Sequence, residues 1–330
     1  MNILDFLPKE VSAIHFLDEN DWLNERRKGM GGSDVSVVMG LNKYKSELRL
    51  YKEKVEGLRE DTSENTFIKK GKDLEDLIRL KYCLPYFKDK GYIVIHPDVI
   101  LTNSVKPVFR ANLDGFAVPE MYNGNYADNI VVEIKWVSEY GESNWNGDDY
   151  YGVPVNYYAQ VQEYMFVTGA RKAVVCALFD NNWKVQFYEV PFNPDFVSKM
   201  IADTERFMNV HVNCKIPPKI NSELDKEFIL EELKTSTGVA PYADADMDEK
   251  IVLYKELKHN IKTLQDGLNG ILSDLTEKYL KGARPQSPLL RMNISKVCSK
   301  RFDASSFEKD YPDLHKQYVK ESEYTRTTII

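Results

Sequence analysis

The sequence predicts an α/β protein: a central mixed sheet flanked by helices, followed by a C-terminal helical, coiled-coil-like extension. Three observations carry this expectation. Between residues 20 and 210 the hydrophobic period runs helices, three β-rich runs, helix, two strands, helix. The segment IPPKI at 216–220 interrupts the pattern. Beyond it, apolar residues recur at alternating steps of three and four, the seam of a coiled coil. The expected division is a core at 1–215 and a helical arm with a small β/α tail at 216–330.

Each element has its own signal. DWLNERR (21–27) reads as a helix, and GMGGSD turns the chain so that Ser33 is expected to N-cap the helix DVSVVMG. SELRLYKEKVEG starts a helix at Ser46 and stops it at Gly57. In FIKKGKDLEDLIRLKYCLPYF, Leu74, Leu77, Ile78 and Tyr82 fall near helical spacing. GYIVIHPDVILTN, KPVFRANLDGFAVPE and NIVVEIKWVSE are the β-rich runs, the last two joined by the hairpin-like PEMYNGNYADN. YYAQVQEYMFVTG is a helix ending at Gly169; KAVVCALFDN and KVQFYEVPF are strands; PDFVSKMIADTERFMNVHV closes the core as an amphipathic helix. In the arm, Tyr254, Leu257, Ile261, Leu264, Leu268, Ile271 and Leu275 make the seam, expected to pair with DKEFILEELK of the same chain rather than with a subunit or partner. A short strand pair, a helix over FEKDYPDLHKQYV and a β-like TRTTII end the chain.

Composition narrows the function classes. No apolar run approaches the ~20 residues of a membrane span, and the N-terminus lacks the pattern of a secretory leader, so a cytoplasmic protein without membrane attachment is expected. The four cysteines and five histidines are scattered, which argues against zinc ribbons and iron–sulfur clusters. Any metal should be a hard cation on carboxylates. Net charge is −7, yet residues 26–54 hold eight bases against three acids, and 281–302 hold six bases and no acid. Segregated charge of this kind suits a polyanion.

The chemistry concentrates in FRANLDG and VVEIKWV. Alternation places Val131, Glu133, Lys135 and Val137 on one strand face, and Val132, Ile134 and Trp136 on the other, the expected core face. If the two runs are hairpin neighbours, Asp114 approaches Glu133. Adjacent carboxylates repel and call for a cation, and Mg²⁺ takes such a pair together with water and phosphate oxygens. Lys135 is then placed to serve an attacking water and to neutralise developing charge. A salt pair on a strand is the plain alternative.

With these residues in view, the chain resembles the YqaJ-type viral recombinases, phage alkaline exonucleases related to lambda exonuclease within the PD-(D/E)-x-K superfamily. The resemblance is carried, in order, by WLNERRKGMGGSDVSVVMGLNKYKS with LYKEKVEG, by KKGKDLEDLI, by ANLDGF, by VVEIKW and by YYAQVQEYMFVTG, over roughly residues 20–210. It implies a restriction-endonuclease-like core in which Asp114, Glu133 and the Ile134 carbonyl hold Mg²⁺, with Mn²⁺ as a substitute, and Lys135 serves the nucleophilic water. It adds Glu75 as a further acid near the metals and Gln160 as a residue facing the site. Arg27 and Ser33 match the family's phosphate-binding pair, and a glycine-rich turn at a helix start suits a terminal phosphate. Two departures stand out: Leu113 replaces the superfamily proline before the first aspartate, and about 115 residues follow the core, which lambda exonuclease lacks.

The expected function is therefore a Mg²⁺-dependent 5′→3′ exonuclease, phage- or prophage-encoded and working in a bacterial host. It would act on linear double-stranded DNA with a 5′-phosphate end and leave 3′ single-stranded tails for recombination. A single-strand annealing protein is the partner the resemblance implies, and a homo-oligomer is compatible with it. The alternatives are an endonuclease of the same superfamily and a catalytically idle DNA-binding or adaptor protein.

Overall fold

The computed structural model describes residues 2–58, 65–221, 223–235, 245–280 and 302–319. The chain divides into two compact units, one ending at Asp225 and the other beginning at Lys226. The first holds β1 (Val11–Ile14), α1 (Glu19–Arg27), β2 (Met30–Gly31), α2 (Gly32–Val38), α3 (Glu47–Tyr51), α4 (Thr66–Ile78), α5 (Leu84–Lys88), β3 (Tyr92–Ile95), β4 (Ile100–Asn103), β5 (Lys106–Ala111), β6 (Gly115–Pro119), β7 (Ile130–Val137), α6 (Val155–Thr168), β8 (Lys172–Phe179), β9 (Lys184–Pro191) and α7 (Pro194–Phe207). The second holds α8 (Lys226–Thr235), α9 (Ala245–Leu280), α10 (Ala304–Asp310) and α11 (Pro312–Tyr318).

Two of the three β-rich runs are each broken into two strands that belong to different sheets. The central sheet has the order β3-β6-β7-β8-β9, and a smaller one has the order β1-β4-β5-β2. Pro97 separates β3 from β4, because proline cannot donate to a ladder. Between β5 and β6, side chains take main-chain and ring donors from elsewhere: Asn112 accepts from Trp22 Nε1 at 2.9 Å, and Asp114 accepts from the Ile134 N–H at 2.8 Å. In the central sheet β6 and β7 pair antiparallel, whereas β7 and β8 run parallel and are connected through α6, as a parallel pair requires.

Both faces of β7 and β8 are buried, so the face that carries Glu133 and Lys135 is also core. Val131, Val137, Ala173, Val175 and Ala177 pack with Ala159, Val161 and Met165 of α6. Val132, Ile134, Val174, Cys176 and Leu178 pack with Ile78, Cys83 and Phe87. A sheet covered on both sides reads as near-continuous hydrophobic sequence, as IVVEI and AVVCALF do.

The core continues past the expected end at 215. Asp225 is fully buried, accepts from the Ser46 hydroxyl, and accepts from the Asn221 N–H at 2.7 Å. In the second unit the seam is not covered by α8: Tyr254, Leu257, Ile261, Leu264, Leu268 and Ile271 stay 44–71% exposed. The helix expected over FEKDYPDLHKQYV is two helices, α10 and α11, divided at Tyr311 by Pro312. The expected strand pair, the basic run through 301 and the TRTTII tail lie outside the described residues.

Candidate active site

The β6–β7 ladder begins at Gly115↔Val132, so from Glu133 onward the edge of β7 facing β6 has no strand partner. Asp114, one residue before β6, fills this gap by accepting from the Ile134 N–H. In a strand the N–H and C=O of one residue project to the same edge, which places the Ile134 carbonyl beside the Asp114 carboxylate. The hairpin thus brings Asp114 to Glu133, as the strand pattern predicts, with the Ile134 main chain, which the resemblance named, beside them.

Glu133 is 1% exposed. Its Oε1 accepts from Lys135 Nζ, two residues along the same face, and from Gln160 Nε2 of α6 at 2.8 Å. Its Oε2 is buried with no hydrogen-bond partner among the described residues. Burial, then the Asp114 charge, push the Glu133 carboxyl up to about 8, against the pull of Lys135. Burial likewise raises Asp114, with Lys135 and the Ile134 N–H opposing it. Burial works against the Lys135 ammonium, but Glu133 and then Asp114 outweigh it and raise its pKa. The ammonium also lies 4.9 Å from the Tyr157 ring centroid.

Glu75 reaches the cluster from α4. Burial and the Asp114 charge raise its pKa, and Arg79 Nη1 lies 3.6 Å from its Oε1. Three carboxylates therefore perturb one another around a lysine. An orphaned buried carboxylate oxygen and mutual repulsion are what a hard divalent cation relieves. Among the described residues no three His, Cys, Asp or Glu side chains are close enough to hold a metal by themselves. The fit accordingly depends on the Asp114 and Glu133 carboxylates completed by water and phosphate oxygens, the usual complement of Mg²⁺, with the Ile134 carbonyl beside them.

The second cluster corrects one expected residue. Trp22 and Arg26, one turn apart on α1, share a face, with the guanidinium 5.2 Å from the indole ring. That face looks toward the glycine turn, and Arg26 Nη2 donates to Ser33 Oγ at 2.6 Å. Arg27 points elsewhere: a Cβ on Gly57 would sit 2.7 Å from its Nη2. The arginine beside Ser33 is Arg26. Ser33 is not the N-cap either, because α2 already begins at Gly32; the Asp34 carboxylate accepts from the Gly31 N–H at 3.1 Å. With only seven residues in α2 the dipole contributes little, and the Arg26 side chain supplies the positive charge at this turn.

Lys54, Gly32 and Glu163, to which the sequence-based expectation gave no individual role, also lie at these clusters. Lys54 Nζ donates to Asp34 Oδ2 at 2.8 Å and to the Gly29 carbonyl at 2.5 Å, pinning the turn. Burial would raise Asp34, but Lys54, then Arg26 and Lys45, hold it well below the usual carboxylate range. Gly32 lets α2 meet α6, because a Cβ there would lie 2.7 Å from both Gln160 and Tyr164. Glu163, fully buried on α6, has no well-formed side-chain hydrogen bond among the described residues; burial and Asp34 raise it well above its ordinary value. Lys54 lies within LYKEKVEG, a stretch that carried the family resemblance, but nothing in the pattern singled out Lys54 or Glu163.

Fold and site together define a class: a mixed-sheet α/β core with an Asp…Glu-x-Lys cluster at a strand end and an Arg–Ser pair on a glycine turn. Residues 21–171 match the YqaJ-like viral recombinase domain. Over 317 residues the chain is 25% identical to YqaJ of Bacillus subtilis strain 168, itself uncharacterized, covering 95% of this chain and 94% of that protein. A distant likeness links it to the crystal structure of an alkaline exonuclease, LHK-Exo, from Laribacter hongkongensis. That match has a TM-score of 0.45 and 17% identity over 66% of this chain and 100% of the other. The LHK-Exo complex with dAMP gives a TM-score of 0.44 and 18% identity, over 66% and 97%. No helix among the described residues is long and apolar enough to cross a membrane.

Proposed function

We propose that the chain is a Mg²⁺-dependent 5′→3′ exonuclease that degrades one strand of linear double-stranded DNA and leaves 3′ single-stranded tails for recombination. The observation that carries this reading is the convergence of Asp114, Glu133 and Lys135 around a buried carboxylate oxygen with no partner. The recombinase-domain match over the same residues supports it.

Asp114, Glu133 and the Ile134 carbonyl would hold Mg²⁺ or Mn²⁺, with Glu75 adding negative charge at the rim. The bound cation would polarise the scissile phosphate and lower the pKa of its water. Lys135, beside Glu133 on the same strand face, would orient or help deprotonate the attacking water and balance charge developing on the phosphoryl oxygens. Gln160 holds Glu133 in its rotamer through Oε1, leaving Oε2 for the cation. Arg26 and Ser33 take the 5′-phosphate, Arg26 as its charge-assisted donor. Gly32, packed on Gln160, joins this pocket to the cleavage centre. The 3′ tails suit a single-strand annealing protein as partner, and the exposed α9 seam offers a surface for a subunit or partner contact.

The test is to incubate the purified chain with linear duplex DNA, 5′-phosphorylated or not, in Mg²⁺ or EDTA, beside Lys135→Ala. Mg²⁺-dependent shortening that prefers phosphorylated ends is expected, with a loss of at least about 10²-fold in the variant. Cutting of closed circles would establish an endonuclease instead. DNA binding without cleavage would leave an adaptor, with Glu133 and Lys135 as a structural pair.

A further inference from the structure

Arg79 stands where α4 passes into the wide turn Arg79–Cys83, in which the Leu84 N–H bonds to the Arg79 carbonyl five residues back. Wide turns of this kind carry one extra residue, re-aim the side chains beside them, and recur at functional sites. Arg79 is buried, and its guanidinium faces two ways. Nη2 pairs with Asp76, whose side chain is 77% exposed; a surface pair of this kind contributes little and does not account for burying an arginine. Nη1 turns inward. It donates to the Asp114 main-chain carbonyl at 3.1 Å, meets His96 Nδ1 at 2.6 Å, and lies 3.6 Å from Glu75 Oε1. His96 Nδ1 is itself 3.1 Å from the same Asp114 carbonyl. One nitrogen therefore joins helix α4, the residue after β3 and the residue before β6.

We propose that Arg79 is a positioning residue of the cation site: by tying the Asp114 main chain to α4 and to His96, it fixes the Glu75 carboxylate relative to the Asp114 carboxylate. The inference rests on the reading of Asp114 and Glu133 as cation ligands. Glu75 and Asp114 repel, and the Glu75 side chain, one-third exposed, has water to swing into. Lys135 compensates the Glu133 side of the cluster, and Arg79 compensates the Glu75 side. A lysine at 79 would keep a point charge, but it lacks the planar fork that serves Asp76 and the Asp114 carbonyl at once.

The test measures Mn²⁺ binding to the full chain by loss of the free-ion paramagnetic resonance signal. It compares wild type, Arg79→Ala, Arg79→Lys, Glu75→Gln and the Arg79→Ala/Glu75→Gln double variant, each checked by thermal melting. DNA cleavage is then followed against Mg²⁺ concentration. Arg79→Ala is expected to weaken Mn²⁺ binding by about 10–100-fold, the usual cost of removing a residue that orients metal ligands. The Mg²⁺ requirement should rise in parallel, with KM for DNA within about threefold of wild type. Arg79→Lys should stay at least about fivefold weaker than wild type. The double variant should be no weaker than Arg79→Ala, because both changes act on one contact. Unchanged Mn²⁺ affinity in either folded arginine variant would overturn the proposal. So would a raised KM with Mn²⁺ affinity intact, the mark of a DNA contact, or failure of both arginine variants to fold, the mark of a structural residue. A wild-type chain that neither binds Mn²⁺ nor cleaves DNA would sink the nuclease reading itself.

Discussion

Arg26 and Arg27 show how much one position along a helix decides. Adjacent helical residues point about 100° apart, so only Arg26 shares the Trp22 face and reaches Ser33. Arg26→Ala should abolish the preference for 5′-phosphorylated ends and slow cleavage of those ends by about 10–100-fold, the worth of one charge-assisted contact. Arg27→Ala should leave the preference intact, and a ratio of rates on phosphorylated and unphosphorylated ends separates the two. Glu163 makes a different prediction, about stability. Its folded pKa lies well above the ordinary 4.5, with burial the first cause and Asp34 the second. A raised carboxyl contributes no penalty below the unfolded pKa, and stability is lost as pH climbs from there toward the folded value, at up to about 1.4 kcal/mol per pH unit. Glu163→Gln should therefore come close to wild type in melting temperature at or below pH 4 and exceed it as pH rises above the ordinary carboxylate range. Parallel melting curves across these pH values would refute the assignment.

At the scale of elements, the site depends on helix α6 lying against both α2 and the central sheet. Gln160 and Tyr164, one turn apart and hydrogen-bonded to each other, both meet Gly32, and Gln160 also donates to Glu133. A methyl group at position 32 would sit inside contact distance of both side chains. Gly32→Ala is expected to cost about 1–3 kcal/mol by overpacking and to lower cleavage through displacement of Gln160 from Glu133. Denaturant unfolding and cleavage rates measured together check this; a variant with wild-type values in both would mean that α2 and α6 part easily.

At the scale of the whole molecule, the two compact units make the position of the first boundary testable. A chain ending after Asp225 keeps the Ser46–Asp225 and Asn221–Asp225 hydrogen bonds, whereas one ending after Lys215 loses them. Hydrogen bonds to a buried charge are worth about 1.5–3 kcal/mol each. The 1–225 fragment should melt as the core does in the full chain, and 1–215 several degrees lower. Equal melting temperatures would return the boundary to IPPKI.

By itself the sequence determined what local rules govern. The alternating and helical periods located the strands β7 to β9 and helices α6, α7 and α9, and glycines closed helices at Gly57 and Gly169 in the left-handed region. It also placed Asp114 against Glu133, because a hairpin with a turn-rich loop leaves few registers. What only the tertiary structure decided involves contacts distant along the chain. These are the partition of the β-rich runs between two sheets, the burial of both faces of β7, Arg26 rather than Arg27 at the turn, and the Lys54–Asp34 and Arg79–Asp114 links. The physical reason is the same for each. A period reveals which side of an element is apolar, whereas the partner of a buried charge is set by where the fold brings a second chain segment, and nothing in the local pattern records that.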